Sequence, residues 1–99
     1  MLINPIFATK NLLMEVKSLF ERAVEDSKTL STRPSNETLL QLYSLYKQST
    51  EGDVSEDAAP TNPFDFVAKA KYEAWLALKG KPITEAQKEY INLINNLKN

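Results

Sequence analysis

The sequence predicts an all-α fold of four helices, and three observations carry that prediction. Apolar residues recur at three- and four-residue steps in four separate segments. No stretch alternates strictly enough over four or more residues to read as a strand. Proline, glycine and short polar residues fall between the periodic segments, where chain breaks belong.

The first helix is expected over residues 11–30. Leu12, Val16, Leu19, Phe20, Ala23 and Val24 form its apolar stripe, with Glu15, Lys17, Glu21, Arg22 and Glu25 elsewhere. Pro34 ends it, because the residue before a proline is pushed out of helical geometry. The second helix starts at Ser35 or Asn36, both good N-caps, carries Glu37 in its first turn, and runs to about residue 50. Residues 51–63 hold Gly52, Asp53, Ser55, Asp57, Pro60, Asn62 and Pro63, and form the longest connection. The third helix is expected over residues 64–79, rich in Ala, Lys and Leu, with Gly80 just beyond its end. The fourth begins near Thr84, which with Gln87 reads as a capping box, and continues to about Leu97.

Composition narrows the function. The 99 residues contain no Cys and no His, which removes thiolate nucleophiles, sulfur-ligated metals and the commonest general base. With 12 basic and 13 acidic side chains, no bulk positive field exists to collect nucleic acid, so an anion must be recognised by a few placed cations. No segment is apolar and long enough to span a bilayer. The opening residues, interrupted by Pro5, lack the features of a secretory signal, so a cytoplasmic protein without integral membrane association is expected.

Two lysines stand out when side chains are placed at about 100° per residue. On the second helix Gln41, Ser44 and Gln48 share a polar face, whereas Leu39, Leu40, Leu42, Leu45 and Tyr46 occupy the opposite arc, and Lys47 lands on that arc near Tyr43. On the third, Phe64, Val67, Ala68, Ala74, Trp75 and Leu78 all lie within about 60° of Lys71, whereas Lys69 falls on the solvated side. A cation on an apolar face snorkels to water, pairs with an acid, or awaits an anionic ligand. Tyr43, Tyr46 and Lys47 point one way and suit a phosphorylated, base-containing molecule. Tyr90, in the stripe of the fourth helix, also reads as a core tyrosine whose hydroxyl reaches the rim.

The strings LYSLYKQSTEGD, residues 42–53, and FDFVAKAKYEAWLALKG, residues 64–80, resemble the two signature stretches of acyl-CoA-binding proteins. The resemblance covers roughly residues 16–98, through Phe20, Ala23, Leu30, Pro34, Leu40, Ala86 and Tyr90, and leaves residues 1–15 as an N-terminal extension. It implies an up-down-down-up four-helix bundle in which residues 1–99 make one acyl-CoA-binding domain. It also implies that Tyr43, Lys47 and Lys71 hold the ribose 3'-phosphate and that Tyr46 and Tyr90 meet the nucleotide. Lys28 and Arg33 then approach the phosphates, and Leu39 and Leu40 lie near the acyl chain. Tyr72 stands where the family usually has tryptophan, Val24 replaces a small residue near the adenine, and the loop over residues 54–63 is about two residues longer than usual.

The function so implied is that of a non-enzymatic, monomeric carrier of medium- and long-chain fatty acyl-CoA that needs no cofactor and serves acyl-CoA-using enzymes. The alternative is a helical protein-interaction domain with no small-molecule ligand, its lysines snorkelling and its tyrosines core.

Overall fold

The computed structural model describes the backbone of residues 5–98 and the side chains of residues 14–98. The expectations for the first four residues, and for the side chain of Leu12, lie outside the described residues. Among the described residues four α-helices occur in the order α1 (Pro5–Ser27), α2 (Asn36–Glu51), α3 (Phe66–Leu76) and α4 (Ile83–Leu97), with a short 3₁₀ turn at Glu56–Ala58. No strand occurs among the described residues, and none of the helices is long and apolar enough to cross a membrane.

The helix ends show where local chemistry overrode the expected boundaries. α1 is already helical at Pro5, the first described residue, and not only from residue 11. It ends at Ser27 instead of residue 30, and the chain tightens into short turns from Lys28 N to Glu25 O and Thr29 N to Asp26 O, each 3.1 Å. α2 begins as expected, with Ser35 Oγ accepting from Thr38 N at 3.1 Å, and ends at Gly52, whose φ of 79° suits glycine. α3 starts after Phe64 because Asp65 is its N-cap, accepting from Ala68 N at 3.0 Å. After Leu76 the α3 chain narrows to tight turns and reaches Gly80 at φ 91°. The Thr84–Gln87 capping box does not form. α4 is already helical from Ile83, with Pro82 as its N-cap and no side-chain cap, so Thr84 sits inside the first turn.

Pairs of touching residues fix the helix directions. Lys71 meets Tyr43 and Trp75 meets Lys47, so numbers rise together and α2 runs parallel to α3. Phe20 packs on Tyr90 and Asp26 pairs with Lys98, so α1 runs parallel to α4. Gln48 reaches Lys81, just before α4, whereas Gln41 shares a groove with Asn96, so α2 and α4 are antiparallel. The result is the up-down-down-up bundle. Its core is Phe20, Ala23, Leu42, Leu45, Ala86, Tyr90 and Ile94, with Ala86 and Ile94, near the two ends of α4, wholly buried.

Candidate functional site

A polar latch sets α2 against α3. Gln48, wholly buried, donates from Nε2 to Asp53 Oδ1 at 2.9 Å and to the Lys81 carbonyl at 2.8 Å. Its Oε1 accepts from Trp75 Nε1 at 3.1 Å, and that indole N–H also reaches the Gly52 carbonyl at 2.9 Å. Asp53 Oδ1 takes a second hydrogen bond from Gly80 N at 2.8 Å, and these two donors hold its carboxyl below the usual carboxylate value. The end of α2, the end of α3 and the start of α4 are thereby tied at one point.

This latch overturns the expected role of the polar face of α2. Ser44, Gln48 and Ser49 are buried, and only Gln41 of the expected polar set is exposed. Ser44 meets its need locally, donating to the Gln41 carbonyl at 3.0 Å. The arc bearing Leu39, Tyr43, Tyr46 and Lys47 is the one left open. The apolar stripe around Lys71 is likewise open at its start, with Phe64 78% and Val67 67% exposed, and closes only at Trp75.

Across the α2–α3 seam each lysine sits on the other helix's aromatic ring. Lys71 Nζ lies 5.2 Å from the Tyr43 ring centre, and Lys47 Nζ lies 4.9 Å from that of Trp75. Lys47 also pairs with Glu51, which raises its pKa above the ordinary lysine value against the opposing effect of burial. No ion pair involves Lys71 among the described residues.

Beside these cations is a cavity of about 290 Å³ lined by Ser27, Leu30, Pro34, Leu39, Leu42, Tyr43, Tyr46 and Tyr90. Tyr46 separates it from a second cleft of about 410 Å³, lined by Lys17, Phe20, Glu21, Val24, Glu25, Ser49, Thr50 and Gln87. Tyr90 is at once part of the core and of the cavity wall. Its ring packs against Phe20 at 5.2 Å, it lines the cavity together with Ser27, and burial pushes its pKa upward.

Of the nine residues picked from sequence, Tyr43, Tyr46, Tyr90 and Leu39 line one cavity, and Lys47 and Lys71 stand at the seam beside it. Leu40 is half-buried and does not line the cavity. Lys28 and Arg33 are exposed in the α1–α2 connection, next to the lining residues Ser27 and Pro34; Lys28 pairs with Glu25 at 3.1 Å and Arg33 reaches Asn36 Oδ1 at 3.4 Å. Sequence reasoning missed the Gln48–Trp75–Asp53 latch and the Lys47–Glu51 pair, although the four-residue spacing of the latter was visible. Among the described residues no group of acidic side chains has the arrangement to hold a metal ion.

An all-α bundle that sets tyrosines and ammonium groups around an open cleft has the architecture of a ligand-binding module. Comparison with known proteins gives the family. The sequence profile described as acyl CoA binding protein matches residues 17–94. The acyl-CoA-binding protein homolog of Drosophila melanogaster is 44% identical over 82 residues, 83% of this chain and 93% of the relative. The acyl-CoA-binding protein of Saccharomyces cerevisiae is also 44% identical over 82 residues, covering 83% of this chain and 92% of its own. The crystal structure of acyl-CoA-binding protein 2 from Oryza sativa superposes with a TM-score of 0.76 at 39% identity, covering 83% of this chain and 89% of that one. The chain belongs to the acyl-CoA-binding protein family.

Proposed function

We propose that this protein binds medium- and long-chain fatty acyl-CoA esters and acts as their monomeric carrier and pool former in the cytoplasm, delivering them to acyl-CoA-using enzymes without catalysis or cofactor. Residues 1–99 form one domain with that role. The observation that carries the reading is the placement of Lys71, an ammonium with no carboxylate partner among the described residues, over Tyr43 and across the seam from Lys47. Two cations and a phenol converging from α2 and α3 suit a phosphate monoester better than a neutral ligand.

In this reading Tyr43, Lys47 and Lys71 hold the 3'-phosphate. Tyr46 and Tyr90 bound the space for the nucleotide, and Lys28 and Arg33 approach its phosphates from the rim. The acyl chain runs past Leu39 and Leu40 towards the open start of α3. A charge-assisted hydrogen bond contributes about 1.5–3 kcal/mol, so loss of the Lys71 ammonium weakens binding by about tenfold or more.

The test is calorimetric titration of palmitoyl-CoA into wild type, Lys71→Ala and Tyr43→Phe. Both variants should bind more weakly and remain folded by circular dichroism; unchanged affinity in both removes the site. If neither palmitoyl-CoA nor CoA raises the melting temperature, a protein-interaction domain replaces this reading, because a ligand that binds only the native state must stabilise it. Release of free thiol on long incubation with palmitoyl-CoA would replace it with an enzyme.

A further inference from the structure

The two seam lysines are not equivalent. Lys71 has no carboxylate partner among the described residues, whereas Lys47 is ion-paired to Glu51 one turn on. That pair is poorly explained as a helix stabiliser. Glu51 is the last residue of α2, where the carbonyl end of the helix dipole disfavours an acid. The order Lys then Glu at four-residue spacing is also the weaker of the two orders. The next acid along the chain takes no part, because the Asp53 carboxylate is occupied by Gly80 N and Gln48 Nε2.

Lys47 is meanwhile held in place over Trp75 at 4.9 Å, with its side chain 25% exposed, so an incoming anion meets Lys47 and Glu51 together. A phosphate oxygen that bonds to the ammonium comes close to the carboxylate as well. It either displaces Glu51 or remains beside a like charge, and both outcomes weaken binding.

We propose that Glu51 is a built-in counter-ion that competes with the ligand's ribose phosphate for Lys47, lowering affinity for phosphate-bearing head groups specifically and so easing their release. The proposal rests on the acyl-CoA reading above and deepens it. Glu51→Gln removes the charge, keeps the length of the side chain, and relieves the helix end, so the variant should melt at or above the wild-type temperature.

The experiment titrates palmitoyl-CoA and palmitoyl-3'-dephospho-CoA into wild type, Glu51→Gln and Lys47→Ala by calorimetry at low and at high salt. Glu51→Gln should bind palmitoyl-CoA about two- to fivefold more tightly, the range that release of one exposed ion pair gives, with the gain shrinking at high salt. Its affinity for the dephospho ligand should match wild type. Equal or weaker binding of palmitoyl-CoA by Glu51→Gln, with Lys47→Ala impaired, overturns the proposal while leaving the acyl-CoA reading intact. Equal tightening towards both ligands overturns it too, because the carboxylate would then act as a general field. Failure of wild type to bind either ligand is the failure of the acyl-CoA reading itself, and this proposal falls with it.

Discussion

Replacing Gln48 with leucine keeps the side chain's size and removes its polar atoms from a position that has no exposure to water. Three hydrogen bonds disappear: to Asp53 at 2.9 Å, to the Lys81 carbonyl at 2.8 Å and from Trp75 at 3.1 Å. At about 1 kcal/mol each, the loss is about 3 kcal/mol. Two partners keep an alternative, since Trp75 Nε1 still reaches Gly52 O at 2.9 Å and Asp53 still takes Gly80 N at 2.8 Å. The buried apolar side chain returns roughly 1 kcal/mol, leaving a net cost of about 2 kcal/mol. Urea unfolding, followed by the fluorescence of Trp75, the chain's single tryptophan, should therefore show a midpoint lower by about 1 M. A double-mutant cycle with Trp75→Phe, all four proteins followed by circular dichroism because that substitution removes the fluorophore, should give a coupling of about 1 kcal/mol. A single-mutant cost below about 0.5 kcal/mol, or a cycle that closes without coupling, refutes the latch.

Two further outcomes follow from the core and from the carboxylates. Phe20→Ala empties a ring position packed on Tyr90 at 5.2 Å and Tyr46 at 6.2 Å, and should cost about 3–5 kcal/mol in the same urea assay. Asp53 is held below the ordinary value of 3.8 first by the Gly80 N–H and then by Gln48, and Asp26 is lowered chiefly by its bond from Lys98. As pH falls below about 3.8 the unfolded chain takes up protons before the folded one, so their stabilisation, complete above that pH, is lost towards the folded values. The urea midpoint measured against pH should drop over that window, and Asp53→Asn should flatten part of the drop; an unchanged profile contradicts the pairing.

Much of the fold was legible because its signals are local. Ser35 capped α2, glycines closed α2 and ended the α3 turns, and Pro34 separated the first two helices, each through backbone chemistry that does not depend on neighbours. The Thr84–Gln87 pattern failed because Pro82 is already the N-cap of α4, which puts Thr84 two positions too far inside. The α3 start failed for the converse reason, since Asp65 caps better than Phe64 begins. At the site, placing residues around the helix axis singled out Lys47 and Lys71. It gave no sense of which face was core, because Gln48, on the polar face of α2, is satisfied by Trp75, Asp53 and Lys81, from 5 to 33 positions away.

That misreading explains how the bundle keeps an apolar-edged face open. Leu42 and Leu45 bury against α4, and one turn of leucine packing resembles the next, so apolar contact alone sets the axial position of α2 loosely. A slip of one turn would move Lys47 by about 5.4 Å, farther than the reach of a hydrogen bond to a shared ligand. Gln48 removes that freedom, because its amide has one set of partners and they come from α3, from the chain before α4 and from the loop after α2. A buried polar side chain of this kind specifies register, as a buried asparagine does in a coiled coil, and here its three hydrogen bonds stabilise the fold as well. Lys47 is the residue before Gln48 and Trp75 is both its aromatic platform and the partner of Gln48, so the latch that fixes register also places one cation. Lys71 lies one turn earlier on the same helix as Trp75, which places the second. The spacing between the two ammonium groups is therefore set by a residue that touches neither of them.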